Sequence, residues 1–264
     1  MPSIQVVPTE LLSGGERIKG DFVIPEGEGP FPGICKFHGL PGSSDQVSGV
    51  ATKLAESGYV VLTFDFRGFR RSEGLFSLAG EIEDAKNAVA HLLESEMTVD
   101  DWVGVYGASY GGAVAVCSAA RDPRISAVCI RAPVFDTLWF AKSPMIPPAV
   151  QYILETSPDE FHGLADASTR EIILTSMVED AKSYNPINDI GRISPRPLFM
   201  TTGAADKGIP LEGVKRLYDL AGQPKELVVV GGADHTLSTP ESVAETNNAV
   251  LSWFKRVWSE VTSP

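Results

Sequence analysis

Several features are scarce in this chain of 264 residues, and each shortage excludes a class of protein. Cysteine occurs only as Cys35, Cys117 and Cys129, always among apolar neighbours. Three such thiols cannot form the disulfide framework of a small secreted protein, so we expect reduced core cysteines and a cytoplasmic location. No apolar run approaches the roughly 18 residues that a membrane-spanning helix needs. The first twelve residues lack the basic and apolar segments of a signal peptide, so we expect none.

Positive charge is also scarce. The chain has 22 lysines and arginines against 34 aspartates and glutamates, a formal net charge of −12. An acidic surface repels the backbone of a nucleic acid unless a local basic patch exists. The densest basic run, Arg67–Arg71, holds only three arginines, so no nucleic-acid partner is predicted. The apolar fraction of 43% is typical of a folded globular protein.

Short apolar runs bounded by glycine or proline alternate with helical patterns along the chain. The runs that predict strands are Ile4–Val7, Phe22–Ile24, Pro32–Phe37, Tyr59–Phe66, Val103–Tyr106, Ile125–Ile130, Pro197–Thr202 and Glu226–Val230. Apolar residues recur at helical spacing from Leu78 to Leu92, and a last helix is predicted to open at Thr239-Pro240, with Val243 and Val261 at the two ends of its apolar stripe. The alternation predicts an α/β fold with a mostly parallel central sheet and helices on both faces.

One long segment, residues 135–190, shows no strand pattern. It opens with an aromatic, proline-rich stretch and continues with a helix that a capping box, Ser168 and Glu171, is predicted to start. We expect Ile172, Ile173 and Met177 on the apolar face of that helix. The segment is therefore predicted to be a helical cap or lid inserted into a core formed by residues 1–134 and 191–264.

The sequence Gly107-Ala108-Ser109-Tyr110-Gly111 follows a predicted strand and precedes a helix of small residues. This Gly-x-Ser-x-Gly pattern is typical of a nucleophile elbow, a sharp turn that exposes the serine hydroxyl above the sheet. A phosphate-binding turn is the alternative. It is disfavoured because the chain has neither of the glycine-rich motifs for phosphate binding. Ser109 is the predicted nucleophile.

A nucleophilic serine needs a base. Of the four histidines, His91 and His162 are interpreted as surface residues, and His38 stands in a turn before Gly39. His235 follows a late strand and precedes the last helix, where a loop can reach over the site. We therefore predict His235 as the base.

The base in turn needs an acid to orient it. Asp206 follows the strand before the one that leads to His235, which places it at the same sheet edge. Asp234 is the alternative, but its adjacency to His235 makes the far ring nitrogen difficult to reach. Asp206 is preferred, and the chain order Ser109, Asp206, His235 is then that of the α/β hydrolases.

Two backbone amides should form an oxyanion hole. The first is that of Tyr110, directly after the nucleophile, and the second is that of Leu40, in the loop after an early strand. The expected substrate-binding side chains lie in that loop and in the aromatic stretch: His38, Leu138, Trp139, Phe140, Met145 and Ile146. The alternative is that the aromatic stretch packs as inert structure.

Together these motifs resemble the α/β-hydrolase superfamily over nearly the whole chain. They are His38 to Gly42, Asp65 to Gly68, Gly107 to Gly112, Gly203 to Asp206, and Asp234-His235. Within the superfamily the chain is similar to dienelactone-hydrolase-like and prolyl-oligopeptidase-like serine esterases. It departs from dienelactone hydrolases in having Ser109 where they have cysteine, and it is too short for the propeller domain of prolyl oligopeptidases. It also has Arg70 where relatives often have glycine, and this side chain could face the cleft entrance.

The predicted activity is hydrolysis of a small-to-medium acyl ester by Ser109, His235 and Asp206 through an acyl-enzyme. A thioesterase, an amidase or exopeptidase, and a carbon–carbon bond hydrolase remain open on the same three residues. A non-catalytic small-molecule binder is the alternative from another class. The chemistry requires no cofactor and no metal, and none is predicted. The partner expected is the small-molecule ester, and the sequence leaves open whether the chain forms a homo-oligomer.

Overall fold

Eight strands form one sheet in residues 3–42 and 49–262, the parts of the chain that the computed structural model describes. Their bounds are Ile4–Ser13 (β1), Glu16–Pro25 (β2), Phe31–Phe37 (β3), Val60–Phe64 (β4), Thr98–Ala108 (β5), Ile125–Arg131 (β6), Leu198–Gly203 (β7) and Lys225–Val230 (β8). The strand order is β1-β2-β4-β3-β5-β6-β7-β8. The pairs β1–β2 and β2–β4 are antiparallel, and every later pair is parallel.

The predicted strands are all present, and the first two and β5 are several residues longer than predicted. In the central strands both faces are buried, as in β4, where all five residues are buried. Such strands appear in a sequence as continuous apolar runs. In contrast, β1 lies at the sheet edge and alternates between exposed and partly buried residues. Because β1 contains polar residues along its length, a search for continuous apolar runs finds only its first part.

Helices cover both faces of the sheet. Their bounds are Val50–Glu56 (α1), Leu78–Leu93 (α2), Tyr110–Ala119 (α3), Thr137–Ala141 (α4), Ile146–Thr156 (α5), Ala167–Asp180 (α6), Pro186–Asp189 (α7), Leu211–Leu220 (α8) and Pro240–Thr262 (α9). The core on one face packs α2, α3 and α8 against the strands, and the core on the other face packs α1 and α9. Neighbouring residues of β5 point to opposite faces of the sheet, so Val105 packs in the first core and Tyr106 in the second. The predicted α/β architecture is confirmed.

The last helix begins as predicted, because the Ser242 amide donates to the Thr239 hydroxyl at 3.2 Å. The predicted burial of its apolar stripe is confirmed in the middle of the helix, where Phe254 is buried. It is wrong at the end, where Val261 is 59% exposed. The three cysteines are free and buried, as expected of core residues. Burial also raises the pKa of the Cys117 and Cys129 thiols.

Residues 132–197, here called the β6–β7 segment, connect β6 to β7 through four α-helices and two short 3₁₀ helices and contain no strand. Its longest helix, α6, starts earlier than predicted. The N-cap is Asp166, which accepts hydrogen bonds from the Thr169 amide and the Ser168 hydroxyl, so Ser168 does not cap the helix. The expected burial of Ile172 is also wrong, because that side chain is 63% exposed whereas Ile173 beside it is buried.

The β6–β7 segment is fastened to the loop that follows β4. Phe69 and Phe161 form a β-bridge, the Arg70 amide donates to the Glu160 carbonyl at 3.2 Å, and the His162 amide donates to the Gly68 carbonyl at 2.8 Å. The Arg70 guanidinium also pairs with the Glu160 carboxylate at 2.8 Å. Arg70 therefore binds the segment to the loop after β4, which agrees with the structural role usual for that loop.

Among the helices in the described ranges, none has both the length and the apolar composition needed to cross a bilayer.

Candidate active site

Ser109 occupies the turn between β5 and α3 with φ 55° and ψ −118°. A positive φ is uncommon for a residue other than glycine and costs free energy unless its surroundings enforce it. The turn is tight enough to require two glycines. A Cβ on Gly107 would clash with the Gly111 carbonyl oxygen, and a Cβ on Gly111 would clash with the His38 carbonyl oxygen. The geometry is that of a nucleophile elbow.

The structure brings Ser109, His235 and Asp206 together from three separate loops. The distance from His235 Nε2 to Ser109 Oγ is 3.0 Å, and that from His235 Nδ1 to Asp206 Oδ2 is 2.7 Å. The Asp206 side chain is fully buried, while the His235 side chain is 30% exposed. An ionised Asp206 accepts the hydrogen bond of Nδ1–H, which leaves the lone pair of Nε2 directed at the serine hydroxyl.

Asp206 is held as a carboxylate. Burial by itself opposes ionisation, but hydrogen bonds from His235 and from the Ile209 and Gly208 amides outweigh that effect and lower the Asp206 pKa. The two amides donate to Oδ1 at 2.8 Å each, so Oδ2 is directed at the imidazole. Because both oxygens have fixed partners, the carboxylate fixes the orientation of the ring.

Asp234, the alternative acid, has a different role. Its Oδ1 accepts the Thr236 amide at 3.1 Å and the Ser238 amide at 3.0 Å, and its contacts with Ser238 and Thr236 lower its pKa. These bonds shape the loop that carries His235. The Asp234 carboxylate makes no hydrogen bond to the His235 ring among the described residues.

His38 does not fit its expected role in substrate binding. It is 2% exposed, and its Nε2 accepts the Phe66 amide at 2.9 Å. Nδ1 must then carry the proton, which it donates to the Gly39 carbonyl at 2.9 Å. Burial lowers the His38 pKa to about 4, so the ring is neutral at pH 7. Since both nitrogens have backbone partners, His38 holds the loop and is not available to a ligand.

The other two histidines lie outside this arrangement. His91 is half-buried rather than at the surface. Its Nε2 is 2.7 Å from the Thr9 hydroxyl, and its ring stacks on Phe22. His162 Nε2 donates to the Arg70 carbonyl at 3.1 Å.

The two amides expected in the oxyanion hole belong to the elbow and to the loop after β3. Tyr110 is the first residue of α3, where backbone amides have no partner within the helix. Leu40 follows Gly39, and a Cβ on Gly39 would lie 3.5 Å from Ser109 Oγ. Within residues 3–42 and 49–262 neither amide donates to a protein acceptor.

An apolar cavity of about 70 Å³ adjoins the Leu40 loop. Of the predicted substrate-binding residues, Phe140 and Ile146 line this cavity, together with Leu40. The remaining lining residues share an aliphatic or aromatic side chain: Pro41, Ala149, Val150, Ile153, Phe161, Leu164, Ile173, Leu174 and Met177. The Phe140 ring also packs on Tyr110, with 5.5 Å between ring centroids, so the cavity wall contacts the elbow.

Three of the predicted lining residues lie elsewhere. The Trp139 ring packs on Phe135 with centroids 4.8 Å apart, Met145 is 37% exposed, and Leu138 does not border the cavity. On a short helix such as α4 consecutive residues point in different directions, so Phe140 reaches the cavity and its two predecessors do not. Ile173 and Met177, which the apolar pattern of α6 placed on one face, also line the cavity.

The described ranges contain no group of three or more histidine, cysteine, aspartate or glutamate side chains placed to hold a metal ion.

The chain is similar to several known proteins. The model of the X-Pro dipeptidyl-peptidase (S15) family matches residues 14–141, slightly less than half of the chain. The uncharacterized protein YfhR of Escherichia coli K12 is 27% identical over 228 residues, which cover 84% of this chain and 70% of YfhR. The 2,6-dihydropseudooxynicotine hydrolase of Paenarthrobacter nicotinovorans is 31% identical over 170 residues, 62% of this chain and 46% of that enzyme.

Among solved structures, the esterase Pf2001 of Pyrococcus furiosus is similar, with a TM-score of 0.73 and 21% identity, covering 96% of this chain and 91% of the esterase. The strand order, the elbow and these likenesses define one class: the chain has the α/β-hydrolase fold, and the resemblance of its motifs to the α/β-hydrolase superfamily is confirmed. Within that class it is similar to proteins named as hydrolases and esterases, which supports a hydrolase.

Proposed function

We propose that the chain is a serine hydrolase that cleaves carboxylic esters with small-to-medium acyl groups. The observation that carries the proposal is the continuous hydrogen-bonded chain from Ser109 Oγ through the His235 ring to Asp206 Oδ2, with distances of 3.0 and 2.7 Å. A protein that only binds a ligand has no need of a strained serine, a base and a buried carboxylate in contact.

The proposed reaction proceeds in two halves. His235 Nε2 takes the Ser109 proton as Oγ attacks the ester carbonyl, and Asp206 stabilises the imidazolium that forms. The Leu40 and Tyr110 amides donate to the resulting oxyanion, which needs donors fixed in advance to be stabilised effectively. The imidazolium then gives its proton to the leaving alcohol, and an acyl group remains on Ser109. Water repeats the sequence, with His235 as its base, and releases the acid.

The apolar cavity supports an uncharged substrate group. Its lining has no charged side chain among the described residues, and it shares Leu40 with the proposed oxyanion hole. A charged group placed there would lose its hydration without compensation. We therefore assign the cavity to an apolar acyl or alcohol group.

The same lining favours an ester over an exopeptidase substrate. A peptidase that acts at a free amino terminus must bind an ammonium group, and a buried cation needs a carboxylate partner. The cavity offers none. The match to the X-Pro dipeptidyl-peptidase model is therefore interpreted as shared architecture rather than a shared substrate.

We further propose that residues 135–190 act as a cap over the core formed by residues 1–134 and 191–264. Support comes from α5 and α6, because Ile146 and Val150 of the first and Ile173 and Met177 of the second border the cavity. Residues at spacings of four along a helix share one face, so both helices direct an apolar face at the same space.

The test is labelling with a small fluorophosphonate, in which Ser109 Oγ attacks phosphorus and fluoride leaves. Labelling of the wild-type protein and none of Ser109→Ala is expected. On p-nitrophenyl esters, Ser109→Ala and His235→Ala should each lower kcat on the order of 10⁴-fold or more, and the double variant little further, because the two residues act as one unit.

Matched thioesters and aminoacyl anilides should react more slowly than the esters in the same assay. A wild-type protein that resists the probe would indicate a non-catalytic binder. A Ser109→Ala variant with near-normal esterase activity would exclude Ser109 as the nucleophile.

A further inference from the structure

Arg131 touches two members of the candidate active site. It is the last residue of β6, at the edge of the sheet where the elbow lies, and its side chain is only partly exposed. Its guanidinium Nη1 donates to the backbone carbonyl of His235 at 2.8 Å. Its own carbonyl accepts the Ser109 amide at 2.9 Å. One residue thus bonds to the backbone of both the predicted nucleophile and the predicted base.

The backbone after Arg131 is firmly held. The Val134 amide donates to the Ser109 carbonyl at 2.9 Å, so residues 131–134 bond to Ser109 from both sides. The Ala132 amide donates to the Thr201 carbonyl of β7 at 2.7 Å. Arg131 therefore begins the stretch that bonds to the backbone of Ser109, the residue that has a positive φ.

The loop that carries His235 has two buried side chains, since Ala233 is fully buried and Leu237 is 5% exposed. Residues 231–239 between β8 and α9 belong to no helix or strand. The Ala205 amide donates to the Ala233 carbonyl at 2.9 Å, which attaches the loop to the loop of Asp206. The bonds of Asp234 are internal to the loop and cannot fix its place. The Arg131 guanidinium adds an attachment that connects this loop to β6.

We propose that Arg131 is a positioning residue, which sets the place of His235 relative to Ser109. This inference rests on the proposed function. A hydrogen bond from a charged donor is stronger than one between neutral groups, and the planar guanidinium holds its direction. The bond acts on the backbone of His235, so its loss displaces Nε2 from Oγ without removing a substrate contact. Misplacement of a catalytic group by about 1 Å can reduce a rate about 100-fold.

The test compares Arg131→Met with the wild type on one p-nitrophenyl ester. We expect kcat to fall about 10- to 100-fold, with KM within about twofold and fluorophosphonate labelling slowed by the same factor as kcat. Guanidinium at millimolar concentration should restore part of the rate, because it can occupy the space left by the Arg131 guanidinium and donate to the His235 carbonyl. A merely structural role predicts a lower melting temperature, an unchanged rate per folded molecule and no rescue.

Arg196→Met is the matched control. Arg196 donates to the backbone carbonyl of Ile125, the first residue of β6, at 2.8 Å, and so makes the same kind of bond at the opposite end of the same strand. Its loss should lower stability and leave kcat unchanged. If Arg131→Met does not fold, Arg131→Gln serves instead. The Gln side chain is polar, but its amide ends two bonds short of the Nη1 position and so does not reach the His235 carbonyl in the same way.

The outcomes separate the two proposals. A wild-type protein that resists the fluorophosphonate contradicts the proposed function. A wild-type protein that labels, with an Arg131→Met or Arg131→Gln variant that keeps the wild-type kcat, overturns only the role of Arg131. An equal loss of kcat in Arg196→Met would also overturn it.

Discussion

Gly39 lies directly against Ser109. A Cβ placed on Gly39 would lie 2.9 Å from the Ser109 Cβ and 3.0 Å from the Ala108 carbonyl oxygen, which is closer than real side chains pack. The loop after β3 is thus in contact with the elbow, and the Gly42 amide closes it by donating to the Gly39 carbonyl at 2.6 Å. The contact places the loop of Leu40 against the elbow and so supports the proposal that the Leu40 amide serves the oxyanion hole.

Gly39→Ala should therefore weaken catalysis. The added methyl group must displace the loop or the serine, and loss of one oxyanion donor costs about 10²- to 10³-fold in kcat. Ester kinetics on folded protein measure the effect. Gly191→Ala is the control, because its Cβ would meet only the Leu220 carbonyl oxygen at 3.6 Å, an ordinary contact. A Gly39→Ala enzyme with the wild-type kcat would contradict the assignment of the Leu40 amide.

The elbow shows what a sequence can predict. A strand, two glycines around Ser109 and a helix are consecutive in the chain, so the pattern and the geometry coincide. His235 and Asp206 could be predicted because the parallel strands before them end at the same sheet edge. The position of each depends on strand order rather than on side-chain packing.

His38 and the β6–β7 segment show what the sequence cannot predict. The role of His38 depends on the Phe66 amide, 28 residues away, which no local pattern contains. In α6 two adjacent isoleucines have the same hydrophobicity, and only packing decides that Ile173 is buried and Ile172 is not. Residue type therefore predicted that the segment would present apolar side chains, but not which of them line the cavity.

Asp206→Asn should lower kcat by about 10⁴-fold, because an amide at that place favours the wrong imidazole tautomer. Asp234→Asn should be far milder, since the Asn side chain keeps an oxygen that can accept the Thr236 and Ser238 amides. Both variants are measured on the same ester, with melting temperatures to confirm folding. The reverse ranking would transfer the role of the acid to Asp234.

His38 should make the stability of the protein fall at mildly acidic pH. Burial lowers its pKa to about 4 in the folded state, against 6.5 as the ordinary value. The unfolded chain therefore binds a proton between these pH values when the native protein does not. The associated stability is fully present above pH 6.5 and is lost as the pH falls towards 4.

The variant His38→Asn cannot titrate in this range. Between pH 7 and pH 5 the wild type should lose about 2 kcal/mol more unfolding free energy than the variant. Urea titrations at both pH values measure the difference. Equal losses in the two proteins would show that His38 is not buried in its neutral form.

The cavity should set the preference for acyl-chain length. Ile146 lines it from α5 and is partly buried, so its side chain can change without disrupting the main core. Each methylene buried in such a space contributes up to about 0.8 kcal/mol, about fourfold in kcat/KM, until the space is full. Wild-type activity should rise over short acyl chains and then fall. Ile146→Ala enlarges the cavity and should move the optimum to longer chains, and Ile146→Phe should move it to shorter ones.

Met145→Ala and Trp139→Ala are the controls for this experiment. Met145 precedes Ile146 but is exposed, and Trp139 packs on Phe135 instead of facing the cavity. Both should keep the wild-type profile of kcat/KM across esters from acetyl to dodecanoyl. Labelling of all four variants by a small fluorophosphonate checks that Ser109 stays reactive, because the probe is too short to sense the cavity. If the cavity binds the acyl group, the two opposite changes of its volume should shift the optimum in opposite directions. If Ile146→Ala and Ile146→Phe both leave the optimum unchanged while the probe still reacts, the acyl group is bound outside this cavity.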